Sequence, residues 1–87
     1  MYSLIYSPRS QKSLRKFPKE YQSLILRKLA SLKDNPKPRG YDKIAARIPP
    51  LYRICIGDYR VFYFINEEIK EVIVADVKRR TTQTDRR

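Results

Sequence analysis

The residues best suited to chemistry lie in one stretch, Leu51-Tyr-Arg-Ile-Cys-Ile-Gly-Asp-Tyr-Arg-Val-Phe-Tyr-Phe-Ile65, and in the basic run Lys78-Arg79-Arg80. The stretch reads as two strands joined by a two-residue turn at Gly57-Asp58, where glycine can take the positive φ that such hairpins need. Side chains alternate across a strand, so Tyr52, Ile54 and Ile56 share one face with Tyr59, Val61, Tyr63 and Ile65. The other face receives Arg53, Cys55, Arg60, Phe62 and Phe64. A two-residue loop pairs Ile56 with Tyr59, Cys55 with Arg60, Ile54 with Val61, Arg53 with Phe62 and Tyr52 with Tyr63. Guanidinium groups thereby meet aromatic rings on one surface. That combination suits single-stranded RNA, because arginine forks onto phosphate and rings stack on unpaired bases. The same pattern also fits a solvated sheet face whose phenylalanines are covered by the C-terminal tail.

The chain has 87 residues, enough for one core and not two. Twenty Lys and Arg against nine Asp and Glu give a net charge of +11, which asks for a polyanionic partner. With no histidine and the single cysteine Cys55, an internal disulfide is impossible and a metal site would need scattered carboxylates; neither metal nor cofactor is expected. No apolar run approaches the roughly 20 residues that cross a bilayer. The start Met-Tyr-Ser-Leu-Ile-Tyr lacks the order of a secretory signal, so a cytoplasmic location with no membrane contact is expected.

The elements that must position the arginines follow from punctuation and periodicity. Residues 2–6 suit a strand, with Ser7 as cap and Pro8 opening a helix that Pro18 ends. From Lys19 to Asp34, Tyr21, Leu24, Ile25, Leu29 and Leu32 recur at helical spacing, and Asn35-Pro36 stops the run. The two helices should form a hairpin that presents one shared apolar face to a sheet. Residues 36–50 hold four of the six prolines and are expected to be mostly loop, with Ile44 and Ile48 as anchors. After the hairpin at Gly57-Asp58, Asn66-Glu67-Glu68 marks the next turn and Glu71–Val77 a third strand. The fold class is therefore α+β: an N-terminal strand, a two-helix hairpin and a three-stranded antiparallel meander that completes one sheet. The domain should span 1–80, leaving 81–87 as a basic tail.

Leu51-Tyr-Arg-Ile-x-Ile-Gly-Asp-Tyr-Arg-Val-x-Tyr, the acidic turn, the aliphatic strand and the Lys-Arg-Arg cluster together closely resemble the RelE/ParE toxins of toxin–antitoxin pairs. Tyr6-Ser7-Pro8-Arg9, Leu14 through Pro18, the amphipathic helix and Asn35-Pro36-Lys37-Pro38 extend that resemblance to about Arg80. It implies the RelE-like fold and a toxin that cleaves mRNA in the ribosomal A site by 2′-hydroxyl attack, so inhibiting translation. It also implies an acidic cognate antitoxin, with operator DNA reached only through that antitoxin. By the same resemblance Arg60 is the phosphate-binding arginine, Arg80 stabilises the leaving group and developing charge, and Arg53 is the basic residue of Tyr-Lys/Arg-Ile. Lys78, Arg79, Phe62 and Arg86 would complete the RNA-binding set. Two positions depart from the pattern. Cys55 stands where the RNA-cleaving branch often has a second cation, and Thr84 or Arg86 stands where a tyrosine commonly follows the basic cluster. These departures leave open a ParE-like inhibitor of DNA gyrase, or a catalytically silent antitoxin-binding relative.

Overall fold

A computed structural model describes residues 1–44 and 49–79 of the chain. The first strand, β1, spans Ser3–Tyr6, and two helices follow, α1 over Pro8–Arg15 and α2 over Lys19–Ala30. A 3-10 turn at Ser31–Lys33 ends the helical segment. The remaining strands are β2 (Asp42–Ile44), β3 (Leu51–Ile56), β4 (Tyr59–Asn66) and β5 (Glu71–Arg79). They form one sheet in the order β1-β5-β4-β3-β2, with β1 parallel to β5 and the other pairs antiparallel.

The start of α1 shows why the chain turns where it does. Ser7 keeps extended dihedrals, and its Oγ accepts from the amide of Ser10 at 3.1 Å, satisfying one of the amides that a helix start leaves unpaired. Pro8 follows at the first helical position, where its missing N–H costs nothing. The Ser7 hydroxyl also donates to the carbonyl of Ala75 at 2.8 Å, and its amide donates to that of Val74 at 3.0 Å. The cap therefore fastens the helix to β5 as well as starting it.

Both helices cover one face of the sheet, α1 against β5 and α2 against β3. Leu14, Ile25, Leu29 and Leu32 meet Tyr52, Ile54, Ile56, Tyr59, Val61, Tyr63, Val72, Val74 and Val77 in a single core. Each buried aliphatic side chain contributes about 1.5–3 kcal/mol relative to exposure, which makes this layer the main source of stability. Of the five apolar positions expected to face the sheet from the second helix, Ile25, Leu29 and Leu32 are buried, while Tyr21 and Leu24 are exposed at its rim. Tyr21 still packs its ring 5.4 Å from that of buried Tyr59, beside Phe17 at 4.6 Å.

Three boundaries differ from those read in the sequence. Residues 36–50, expected to be mostly loop, contain β2, whose Asp42, Lys43 and Ile44 pair with Arg53, Tyr52 and Leu51. Ile44 is half-buried as an anchor, whereas Ile48 lies outside the described residues. The turn after β4 occupies Glu67–Lys70, with Lys70 at φ 54° and Asn66 Oδ1 accepting from the Glu68 amide. Finally, β5 continues past Val77, so Lys78 and Arg79 are ladder residues and not part of a tail.

Candidate functional site

The β3–β4 register is the one dictated by a two-residue loop: Ile56 opposes Tyr59, Cys55 opposes Arg60, Ile54 opposes Val61, Arg53 opposes Phe62 and Tyr52 opposes Tyr63. Gly57 takes φ 59° at the loop. Because Ile54, Ile56, Tyr59, Val61 and Tyr63 are buried under the helices, Arg53, Cys55, Arg60 and Phe62 occupy the opposite, helix-free face.

Extending the ladder to β5 yields two rows across that face. The first is Cys55–Arg60–Lys78, since Arg60 pairs with Lys78. The second is Asp42–Arg53–Phe62–Asp76. Arg60 is half-buried and Lys78 exposed, and Lys78 Nζ stands 6.0 Å above the Phe62 ring. Two cations and an aromatic ring therefore converge on one patch. An anion seated between Arg60 and Lys78 would meet both charges where the sheet has removed part of the solvent, and a cation placed this way can stabilise charge building on a phosphorus-bound oxygen.

Arg53 is arranged differently. Its guanidinium donates to Asp42 Oδ2 at 2.5 Å, and its Nε is buried without a hydrogen-bond partner among the described residues. A pair this exposed contributes about 0–1 kcal/mol, but it aims Arg53 along β2 and offsets its charge locally. Arg79 opposes Tyr59 in the ladder and so belongs to the helix-side register, facing away from Lys78. The strand thus separates Lys78 and Arg79, although they adjoin in sequence. Arg80 and Arg86 lie outside the described residues.

A β-bulge gives this face a carboxylate. The β4–β5 register shifts between Phe62 and Tyr63, which pair with Asp76 and Val74, so Ala75 is passed over. Asp76 then stands beside Phe62 while Val77 returns to the core. Its Oδ1 accepts from Ser13 Oγ at 2.9 Å and from the Val77 amide at 2.8 Å, linking α1 to β5. Next to it is a recess of about 350 Å³ lined by Arg9, Leu51, Phe62, Phe64, Asp76 and Lys78. A larger concavity of about 500 Å³ lies toward the β4–β5 turn, but Glu67 and Glu68 line it, which makes it a poor seat for a polyanion. Neither Asp42 nor Asp76 was identified from the sequence. The available signal for Asp76 was a lone carboxylate inside the apolar run Val72–Val77, but its side of the sheet depends on the bulge.

Residues 4–83 match the family model described as the ParE toxin of the type II toxin–antitoxin system parDE. No curated protein matches the chain in sequence. Among solved structures, the toxin–antitoxin complex RelBE2 from Mycobacterium tuberculosis has a chain superposing with a TM-score of 0.82 at 20% identity, covering 91% of this chain and 98% of that one. The archaeal RelE–RelB complex from Pyrococcus horikoshii gives a TM-score of 0.81 at 28% identity, with 93% and 97% covered. The isolated RelE toxin of E. coli gives 0.78 at 23% identity, with 99% and 94% covered.

Proposed function

Since the chain belongs to the RelE/ParE family of toxins from type II toxin–antitoxin systems, we propose that it arrests translation by cutting mRNA in the ribosomal A site. The observation that carries this reading is the Arg60–Lys78 pair beside Phe62 on the helix-free face. In the reaction, a ribose 2′-hydroxyl attacks the neighbouring phosphorus and the 5′-oxygen departs, so negative charge gathers on the non-bridging oxygens. Arg60 is placed to hold those oxygens, with Lys78 next to it across the ladder. Phe62 offers a ring on which an unpaired base can stack, an interaction of about 1–3 kcal/mol. Arg80 is assigned to the leaving group on family pattern, and Arg53, held by Asp42, acts as an outer phosphate contact. Arg79 and Arg86 are assigned to ribosomal or messenger backbone outside the reacting centre.

Cys55 supplies no charge beside Arg60, so the cationic set on β3 is smaller than in the usual family pattern. A net charge of +11 supports steering toward RNA and toward an acidic antitoxin alike. In cells expressing the chain without an antitoxin, growth should stop, and Arg60→Ala with Arg80→Ala should restore it. Undiminished toxicity of that double variant would defeat the assignment of these arginines, and DNA breaks with intact transcripts would favour gyrase as the target.

A further inference from the structure

The recess next to the Arg60–Lys78 pair is not accounted for by phosphate binding, and its composition is unusual for a plain sheet face. Its floor is apolar, from Leu51, Phe62 and Phe64, yet one wall is the Asp76 carboxylate, whose side chain is only 14% exposed. In a molecule with this excess of cations, a sheltered carboxylate on the face meant for a polyanion has a cost and so calls for a role. Part of that role is structural, because Oδ1 holds Ser13 and the Val77 amide. Oδ2 is used differently. Among the described residues it accepts no hydrogen bond, and the Arg9 guanidinium comes only within 4.0 Å, from a side chain that is itself 77% exposed.

The recess also sits at the right spacing from the cations. Phe62 and Asp76 lie two residues along their strands from Arg60 and Lys78, which is about 7 Å, comparable to the reach from a nucleotide's phosphate across its ribose to its base. Lys78 borders both places, since it pairs with Arg60 and lines the recess. A volume of about 350 Å³ falls within the usual range for a small-molecule site.

We propose that this recess is a nucleobase pocket in which Asp76 Oδ2 selects guanine. The inference rests on the RNA-cleaving reading of the same face and names the base beside the phosphate that Arg60 and Lys78 hold. Guanine presents two adjacent donors, N1–H and the exocyclic amino group, toward a single acceptor. Adenine presents one amino group next to N1, an acceptor that would face the carboxylate lone pairs. Stacking on Phe62 favours a purine over a pyrimidine by area, and the carboxylate then separates the two purines.

The test titrates guanosine and adenosine 5′-monophosphates against the intact chain and follows backbone amide resonances, a readout that requires no cleavage. Wild type should bind the guanosine nucleotide more tightly, on the order of tenfold. Asp76→Asn keeps an oxygen for Ser13 and the Val77 amide but turns the pocket atom into a donor, so the ratio should fall to near one. As a second variant, Leu51→Trp fills the floor without touching the α1 contact, and it should weaken guanosine monophosphate binding by about tenfold or more. An unchanged ratio in Asp76→Asn, wild-type affinity in folded Leu51→Trp, or no binding of either nucleotide to wild type would each overturn the proposal. Absence of mRNA cuts by wild type would instead remove the reaction while the nucleotide ratio still decides the pocket.

Discussion

Replacing Tyr63 with phenylalanine isolates one bond that joins the two layers. Tyr63 is fully buried in β4, and its hydroxyl donates to the carbonyl of Pro36 at 2.7 Å, tying the end of the helical segment to the middle of the sheet. Phenylalanine keeps the ring and its packing 5.8 Å from Tyr52, so the change removes a donor and leaves a buried carbonyl unsatisfied. That costs about 1–3 kcal/mol near neutral pH, a large share of the ~5–15 kcal/mol that holds a domain together. For a domain of this length the melting temperature should fall by roughly 4–8 °C per kcal/mol. The effect also carries a pH signature. Burial, with smaller contributions from Tyr52 and Tyr41, pushes the Tyr63 phenol well above its ordinary value of 10.0. A raised pKa in the folded state means that the native protein keeps its proton while the unfolded chain loses it. The stability owed to this phenol is complete below pH 10 and declines as pH climbs from there toward the folded-state value. The slope is about 1.4 kcal/mol per pH unit for one proton. Since the variant lacks this group and shares every other tyrosine, its deficit should shrink above pH 10 and vanish near about pH 11–12. Urea unfolding of both proteins across that range measures the difference, with equal m-values as the check on two-state behaviour. A deficit under about 0.3 kcal/mol at pH 7, or one constant with pH, would refute the reasoning.

Ser7→Ala should lower stability by about 0.5–2 kcal/mol in the same unfolding assay, because it removes both the Ser10 cap and the bond to Ala75. Gly57→Val, at φ 59° and with open space around the position, should cost on the order of 1–2 kcal/mol from backbone strain alone; a neutral result would show that the loop relaxes to another turn.

The local features were the most legible. Ser7-Pro8 announced a helix start and Gly57-Asp58 fixed a register, since a two-residue loop leaves no freedom in which side chains oppose one another. The face shared by Arg53, Arg60 and Phe62 followed directly. The less legible features depend on contacts far apart in sequence. At three residues, β2 is too short to carry a periodic signal, so Asp42 could not be matched to Arg53. The bulge at Ala75 arises from how β4 and β5 meet, and no spacing in the sequence marks it. Tyr21 and Leu24 illustrate a further limit. Helical spacing identifies the apolar side of α2, but the width of the sheet beneath decides which of those residues it covers.

Mapping transcript ends in cells expressing either wild type or Arg60→Ala tests the central claim most directly. Cuts at a fixed position within codons, present in wild type and lost with Arg60, are the result expected from a phosphate held on the helix-free face. Intact transcripts in growth-arrested wild-type cells, or an unchanged cutting pattern in Arg60→Ala, would contradict it.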